Sequence, residues 1–380
     1  MEIETFTHRL GAGWSAALPS KLDSGRTLVV AFGAPEYAEN PAALAELAAA
    51  FPRSAVVGCS SAGEIHGDAI ADGSLVVAVA RFARTDLAVA STAIDSVGDS
   101  ASAGARLGRT LAAARPRLVL VLSEGLTVNG TDLVRGLHDS LPRDSTIVGG
   151  LAADGDRFAR TWVLVDGRPA VRHVVAVALR GPLEIGAGSQ GGWDAFGPER
   201  KVTRAAGNVL YELDGKPALA LYKEYLGDLA SGLPATALRF PLSIRADRSA
   251  ETAVVRTVLA IDESAQSVTF AGDVPTGWHA QLMRSNHDRL IAGAMRAAAA
   301  ATAGITGEEP ALALAISCVG RRLVLGDRTE EETEAALEAL PPGSRQIGFY
   351  SYGEISPASR GGCELQNQTM TLTTIREASA

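Results

Sequence analysis

The sequence predicts an α/β protein made of two related, tightly packed α/β domains with mixed sheets and an internal duplication. Three observations support this. Apolar segments of strand length alternate with helical patterns, the order of these elements recurs along the chain, and nearly the same turn follows a strand in both halves. A chain of 380 residues, of which 47% are hydrophobic, is long enough for two domains with substantial cores.

The first part of the chain has the order strand, helix, strand, strand. Asn40 is expected to cap the helix, because Pro41 follows it and suits the first helical position. The four predicted elements are Arg26–Phe32, Pro41–Phe51, Ala55–Cys59 and Ser74–Phe82. A helix over Asp99–Ala114 then leads to the second occurrence of this order.

The same order recurs twice more. The second occurrence ends in a predicted antiparallel pair, and its elements are Arg117–Leu122, helix Gly130–Ser140, Thr146–Gly150, Thr161–Asp166 and His173–Arg180. The third consists of Ala311–Cys318, helix Thr329–Leu340, Gln346–Tyr350 and one final strand, Glu364–Arg376. Between them we predict a helix after Pro217, a hairpin of Val254–Ile261 with Ser267–Ala271, and a long helix over His279–Ala303. The predicted domains span residues 26–218 and 219–377.

The duplication rests on two turns. Gly58–Ile65 (GCSSAGEI) and Gly348–Ile355 (GFYSYGEI) share Gly, Ser, Gly, Glu and Ile at corresponding positions. Gly149–Gly155 is a looser third relative. Such a match at equivalent places in similar strand–helix–strand patterns predicts that the two halves build similar layers.

Composition excludes several classes of protein. A net charge of −8 disfavours binding to nucleic acid or to anionic lipid. The N-terminus lacks the apolar segment of a signal peptide, and no apolar run approaches the length of a membrane span, so we expect a cytoplasmic protein. Three widely spaced cysteines predict neither a disulfide framework nor a zinc site.

The glycine-rich turns are the strongest candidates for a ligand site, because ligands of α/β sheets bind at the carboxyl ends of strands. We expect them to face one shared cavity with Arg321 at its edge. Glu64 or Glu354 would bind an ammonium group and Arg321 a carboxylate. The predicted ligand-binding residues are Cys59, Ser60, Ser61, Gly63, Glu64, Gly150, Asp154, Cys318, Arg321, Tyr350, Tyr352, Glu354 and Asn367. In the alternative interpretation, each Glu caps local amides and the turns serve packing alone.

Catalytic and metal motifs are weak. Gly186–Gly191 matches GxGxxG, but no helical pattern follows it. Gly58–Ala62 lacks the second glycine of a nucleophile elbow. We therefore predict no catalytic residues, although a thiol-dependent enzyme that uses Cys59 or Cys318 remains an alternative. No histidine pattern predicts a metal site, yet a single histidine is enough to bind haem iron.

Five ordered motifs carry a family resemblance. VVGCSSAGEI (56–65), IVGGLAADG (147–155), the segment 201–227, SCVGRRLVLG (317–326) and GFYSYGEI followed by ELQNQTMTL (364–372) resemble FIST proteins. The resemblance runs from about residue 26 to 377. It implies a sensory protein that binds a small ligand, with amino acids as the suggested class, and that signals through a separate protein such as a histidine kinase.

The resemblance also suggests haem binding as an alternative, and the chain differs from the family at one position. Some family members resemble haem-binding nitric-oxide sensors. Family members often have a histidine where this chain has Gln366, so any role of that histidine is absent here. We accordingly predict no cofactor, with haem as the alternative.

Overall fold

The structure, a computed structural model, describes residues 1–250, 253–307, 309–358 and 362–378. It contains three similar α/β modules arranged as a ring, and a fourth unit is inserted into the third module. None of the helices in the described ranges combines the length and hydropathy that a membrane span requires.

Modules 1 and 2 follow each other in the chain. The elements of module 1 are β1 (Glu2–Arg9), β2 (Gly13–Trp14), β3 (Thr27–Gly33), α1 (Ala42–Ala50), β4 (Ala55–Ser60), β5 (Glu64–His66), β6 (Ala69–Ala71) and β7 (Ser74–Arg81). Those of module 2 are β8 (Asp86–Ala93), α2 (Ser100–Ala112), β9 (Leu118–Ser123), α3 (Gly130–Ser140), β10 (Thr146–Leu151), β11 (Val163–Val165), β12 (Arg168–Ala170) and β13 (His173–Arg180).

Module 3 begins with β14 (Leu183–Gln190) and is then interrupted by the inserted unit. The inserted unit contains β15 (Asp194–Ala206), β16 (Val209–Leu213), β17 (Lys216–Pro217), α4 (Ala218–Leu226), β18 (Leu242–Arg245), β19 (Val254–Arg256), β20 (Val258–Asp262), β21 (Ser267–Phe270) and β22 (His279–Arg284). Module 3 resumes with α5 (His287–Thr302), β23 (Leu312–Cys318), α6 (Val319–Leu325), α7 (Thr329–Glu338), β24 (Arg345–Ser351), β25 (Gly353–Pro357), β26 (Cys363–Gln366) and β27 (Met370–Glu377). Short 3-10 helices cover Ser20–Leu22, Pro35–Ala38, Val97–Asp99, Gly227–Gly232, Ala235–Arg239 and Gly326–Arg328.

The modules share one strand arrangement. Each has a parallel pair joined by a helical crossover (β3 with β4, β9 with β10, β23 with β24). A third strand lies antiparallel to the first of the pair (β7, β13 or β27), and a fourth lies beside the third (β1, β8 or β14). This common order confirms the predicted duplication, and each of the three predicted occurrences of the order forms one module.

Exchanged strands close the ring. The turn after each second strand sends the chain into the sheet of a neighbouring module. There β5 pairs with β24 of module 3, β25 pairs with β10 of module 2, and β11 pairs with β4 of module 1. Each module therefore completes the sheet of another, so the modules are bound together by backbone hydrogen bonds as well as by side-chain packing.

One glycine in each module lets the two strands of the parallel pair approach closely. Gly58, Gly149 and Gly348 occupy the same position in the second strand of their parallel pairs. A Cβ atom at these positions would lie 1.8 to 2.2 Å from a carbonyl oxygen of the first strand. Only glycine permits this close approach of two backbones.

The sheets meet in a shared apolar core. Its strands are rich in Val, Leu and Ile and are buried on both faces, as is usual for the central strands of α/β proteins. Side chains from all three modules take part, and the rings of Phe32 and Phe349 lie 4.6 Å apart across two of them. The inserted unit has a separate core, built around its own eight-stranded sheet.

Several predicted elements differ from the observed ones. The segment 279–303 contains strand β22 before helix α5, and the predicted final strand is two strands, β26 and β27, in different sheets. The predicted pairing of Thr161–Asp166 with His173–Arg180 is wrong, because β11 crosses to module 1 while β13 pairs with β8 and β9. Asn40 does not cap α1 with its side chain.

The predicted domain boundary lies within the inserted unit. Residue 218 begins α4, and strands of the same eight-stranded sheet lie on both sides of it, with β15 and β16 before it and β18 to β22 after it. The two predicted domains therefore stay a prediction about the sequence. In the structure, the parts that pack as units are the three modules and the inserted unit.

Candidate ligand-binding site

The turns that follow the second strands interlock at the centre of the ring. Three backbone hydrogen bonds join them in a cycle, from Ala62 N to Tyr350 O (2.9 Å), from Tyr352 N to Leu151 O (3.1 Å) and from Ala153 N to Ser60 O (3.1 Å). The turns that the sequence analysis expected to lie together are thus in direct contact. The Ser60–Glu64 and Tyr350–Glu354 turns contact each other through the first of these hydrogen bonds, and the cavity described below lies beside them.

Glu64 and Glu354 occupy equivalent places and make equivalent contacts. Glu64 Oε2 accepts hydrogen bonds from the amide (3.0 Å) and the hydroxyl (2.8 Å) of Ser74. Glu354 Oε2 accepts from the amide (3.2 Å) and the hydroxyl (2.9 Å) of Thr369, and its Oε1 accepts from Ser351 Oγ (2.6 Å). Both Glu side chains are buried. The contacts are those of the capping alternative.

Burial sets the charge of these carboxyl groups. Desolvation raises the pKa of both Glu64 and Glu354 to about 8, and the hydrogen bonds from hydroxyl and amide groups offset part of that effect. Neither side chain lines the cavities described below. We therefore assign the two glutamates to the support of the turns.

The serines of the first turn support its backbone in the same way. Ser60 Oγ accepts a hydrogen bond from the amide of Trp162 (3.1 Å), and Ser61 Oγ accepts one from the amide of Gly63 (2.9 Å). Both serines are buried. Their hydroxyl groups are therefore engaged within the protein.

Arg321 is buried and paired, which differs from the predicted place at a cavity edge. Its Nε donates to Oε2 of Glu332 (2.7 Å), and Nη2 donates to the carbonyl of Leu290 (2.8 Å). Glu332 Oε1 also accepts from Ser317 Oγ (2.7 Å) and Tyr350 Oη (3.2 Å). A guanidinium with these partners has no free donor edge for a ligand.

Glu332 is a partner that the sequence analysis missed. Acidic residues 330–332 suit a helix N-terminus, so their charge alone does not indicate that one of them is buried. The helical spacing could have identified Glu332 as buried. It lies on the same face of α7 as the other buried residues, Thr329, Thr333 and Ala336.

Tyr352 and Asp154 connect modules 2 and 3. Tyr352 Oη donates to Oδ1 of Asp154 and to the carbonyl of Gly155 (2.9 Å), and its ring stacks on Phe158 at 5.0 Å. Asp154 Oδ2 accepts from the amides of Ala159 and Arg160, both at 2.8 Å. These residues hold the long module 2 turn in place.

Gly150 and Asn367 lie near the same contact between modules 2 and 3. A Cβ at Gly150 would lie 2.9 Å from the side chain of Ile316, so this glycine lets the modules approach closely. Asn367 Nδ2 donates to the carbonyl of Tyr352 (3.2 Å), and Oδ1 accepts from the amide of Thr257 (3.3 Å) in the inserted unit. Asn367 thus joins the inserted unit to module 3.

The cysteines are poorly placed for nucleophilic chemistry. Cys59 and Cys318 are buried. Burial raises the pKa of the Cys59 thiol well above its usual range and that of Cys318 to about 12. A reactive cysteine needs a low pKa and access to solvent, and neither thiol meets these conditions.

A cavity of about 540 Å³ lies beside the interlocked turns. We call it the central cavity. All three modules contribute to its wall, with Ala62 and Ile70 from module 1, and Gly155 and Asp156 from module 2. Module 3 contributes Val319, Arg322, Leu323, Gly326, Asp327, Thr329 and Glu330. None of the predicted ligand-binding residues lines it, although Ala62 and Gly155 are neighbours of Gly63 and Asp154.

Arg322 is the cation of the central cavity. Its Nη1 and Nη2 each lie 2.7 Å from a carboxylate oxygen of Asp72, and Nη1 also donates to the carbonyl of Ala62 (2.5 Å). The guanidinium lies over the ring of Tyr350, at 5.6 Å from its centroid. A Cβ at Gly63 would lie 2.3 Å from Nη1, so this glycine makes room for the arginine.

The pair of Arg322 and Asp72 is accessible to solvent. The side chain of Asp72 is 73% exposed, and that of Arg322 is 24% exposed. Hydrogen bonding to Arg322 lowers the pKa of Asp72, so the aspartate is ionised near neutral pH. Within the described ranges, no group of three or more His, Cys, Asp or Glu side chains is arranged to bind a metal ion.

Comparisons with known proteins place this architecture in a family. The family model of the FIST N domain matches residues 27–216, and that of the FIST C domain matches residues 218–357. FIST domains are known as sensory domains of signal-transduction proteins that bind small ligands.

Two individual proteins are similar to the chain. An uncharacterized protein, MJ1623, from Methanocaldococcus jannaschii is 33% identical over 99 residues, which make up 26% of this chain and 19% of that protein. The matched part is thus about a fifth of that relative's length. The crystal structure of a cyanuric acid hydrolase from A. caulinodans is 10% identical, with a TM-score of 0.35, over 100% of this chain and 99% of that one.

The two domain models together match residues 27–216 and 218–357, which make up most of the chain and include every residue that lines the central cavity. The chain therefore belongs to the FIST family, with a FIST N domain followed by a FIST C domain.

Proposed function

We propose that the protein is a cytoplasmic sensory protein that binds an amino-acid-like metabolite in the central cavity and signals through a separate protein such as a histidine kinase. One observation carries the proposal. A cavity of about 540 Å³, of the size of small-ligand sites, is walled by all three modules and contains an arginine whose own partner is exposed. A ligand bound there touches every module at once.

The carboxylate of the ligand would take the place of Asp72 on Arg322. A guanidinium binds a carboxylate through two parallel hydrogen bonds, which is the geometry it now has with Asp72. An exposed ion pair contributes only about 0 to 1 kcal/mol to stability, so the exchange costs little.

The ammonium group of the ligand would face the acidic part of the wall. Asp156, Asp327 and Glu330 line the same cavity as Arg322 and are exposed. Charges of both signs in the wall of one cavity suit a zwitterion and disfavour a simple anion or cation.

Release of Asp72 supplies a route from binding to signal. Asp72 lies in the turn between β6 and β7, and β6 belongs to the sheet of module 3 while β7 belongs to that of module 1. A ligand that displaces Asp72 removes one contact between these modules and adds contacts of its own. The ligand thereby favours a different arrangement of the turn, which a partner protein can detect.

Isothermal titration calorimetry against the proteinogenic amino acids tests the proposal. We expect at least one to bind, the Arg322→Gln variant to bind about tenfold or more weakly, and the Asp72→Asn variant to bind more tightly because the internal competitor is lost. The Arg328→Gln variant is the control, since Arg328 pairs with Asp288 and Glu331 outside the cavity wall. If no amino acid binds, or if Arg322→Gln binds as the wild type does, the proposal is wrong.

A catalytic role finds less support. The alternative of a thiol-dependent enzyme requires a reactive thiolate, and burial raises the pKa of both Cys59 and Cys318. We accordingly place the function of this chain in ligand binding.

A further inference from the structure

A second cavity lies at the junction of module 2 with the inserted unit. It has a volume of about 340 Å³, and we call it the junction cavity. Its wall is formed by helix α3, by strands β18 and β19 with the segment 273–278, and by strand β26. It shares no lining residue with the central cavity.

Most of the wall of the junction cavity is apolar. Val134, Ile244, Val254, Trp278 and Leu365 contribute side chains from all of its walls. An indole and branched aliphatic groups favour a ligand with an apolar body, such as an aromatic ring or a short alkyl chain.

Arg256 brings a positive charge into this apolar wall. Its exposure is only 7%. Nε donates to the carbonyl of Asp273 (2.9 Å), and Nη1 donates to the carbonyls of Val255 and Leu365, both at 3.3 Å. Over the described ranges, Nη2 has no hydrogen-bond acceptor and the guanidinium has no ion pair with a carboxylate.

The other buried arginines of the described chain each pair with a carboxylate. Arg321, which is fully buried, pairs with Glu332, and Arg376, which is 4% exposed, pairs with Glu184. A buried charge without a counter-ion is costly, and desolvation lowers the pKa of Arg256 to about 10. Arg256 is thus a buried cation whose partner is missing from the described protein.

The charges around Arg256 do not replace that partner. Asp273 and Glu364 act on it at longer range. Asp273 Oδ1 accepts a hydrogen bond from Asn129 Nδ2 (2.7 Å), and Glu364 is exposed. On the other side of the cavity, Arg135 pairs with Asp132. Arg256 therefore lines the cavity, and no carboxylate in the described ranges pairs with its guanidinium.

We propose that the junction cavity binds a small organic anion, namely a monocarboxylate on an aromatic ring or short alkyl chain, with its carboxylate on Arg256 and its apolar body against Trp278 and Val134. The carboxylate supplies the counter-ion that the buried guanidinium lacks, and the apolar walls exclude water from the pair. The site is separate from the central cavity, so it adds a second ligand class to the proposed sensory function.

Binding of 4-fluorobenzoate, followed by ¹⁹F NMR, tests this inference. We expect saturable binding, and we expect 4-fluorobenzamide, which has the same shape without the charge, to bind about tenfold or more weakly. The Arg256→Gln variant should lose about tenfold or more in affinity for 4-fluorobenzoate. The Arg204→Gln variant is a matched control and should stay within about twofold, because Arg204 is exposed, pairs with Glu212 and does not line the junction cavity.

Two further variants keep the test decisive. Val254→Phe fills the junction cavity while Arg256 stays in place, and it should also abolish binding, which covers the case in which Arg256→Gln fails to fold. Arg322→Gln alters the central cavity alone and should leave 4-fluorobenzoate binding unchanged. Equal binding of the benzoate and the benzamide, unchanged binding by folded Arg256→Gln, or no binding below about 10 mM would each overturn the inference.

Discussion

Nε of Arg321 lies 2.7 Å from Oε2 of Glu332, and both side chains are fully buried. The pair holds α6 against α7 behind the wall of the central cavity. Arg322, the next residue, faces the cavity itself. Two adjacent residues of one helix therefore differ in role: Arg321 belongs to the core, and Arg322 is suited to bind a ligand.

Loss of one partner from this pair should be strongly destabilising. We expect Arg321→Met or Glu332→Gln to lower the free energy of unfolding by about 3 to 5 kcal/mol, because the remaining group is left buried without its partner. The double variant Arg321→Met/Glu332→Gln should lose less than the sum of the two single changes. Urea unfolding measures all three, and strictly additive losses would show that the two residues act independently.

Stability should depend on the ionisation of the two buried glutamates. Their pKa in the folded protein is about 8 and the ordinary pKa of a glutamate is 4.5, so folding favours the protonated form. The stability that they contribute is complete below about pH 4.5 and is lost as the pH rises through about 8.

The variant Glu354→Gln isolates one of these groups. Its melting temperature should fall less than that of the wild type between about pH 5 and pH 8, because glutamine does not ionise. Glu334→Gln, at an exposed position of α7, is the control. Affinity for a ligand of the central cavity should be unchanged in Glu354→Gln. A large loss of affinity at unchanged melting temperature would instead support a shared cavity at the turns.

The three equivalent glycines should be intolerant of any side chain. We expect Gly58→Ala, Gly149→Ala and Gly348→Ala each to lower the free energy of unfolding by about 3 kcal/mol or more, since the new Cβ would overlap a backbone carbonyl. Gly25→Ala is a suitable control, because a Cβ there has no neighbour within 4 Å. Thermal unfolding of the four variants provides the comparison, and a stable Gly149→Ala protein would contradict the described strand spacing.

The protein should purify without haem. His8, His66 and His173 each have a ring nitrogen in a hydrogen bond with another protein group, and Gln366 stands where family members often have a histidine. We expect no Soret band after expression with added haem. His138 lines the junction cavity, so a stoichiometric Soret band that His138→Ala removes would contradict this prediction and identify the axial ligand.

Local sequence was sufficient for most elements of the three modules. Apolar runs such as Leu118–Ser123 form strands wherever they are buried on both faces, and the turn around Gly58 matches that around Gly348 because the same close contact recurs. Strand β1 and the edge strand β8 were not predicted, since their apolar character is weaker. The Asn367–Thr369 turn was missed as well, because the period-two alternation continues through it.

The sequence by itself determined the α/β class, the duplicated turns and the family of this protein. Only the tertiary structure decided which charged groups are free. Arg321 and Arg322 are adjacent in a helix of 7 residues, too short for its hydrophobic pattern to define a face, so the choice depends on Glu332 packing on one side and a cavity opening on the other. The sequence also did not predict the exchange of β5, β11 and β25 among the modules. Each of these strands pairs with a strand of another module, and such contacts cannot be recognised from local sequence.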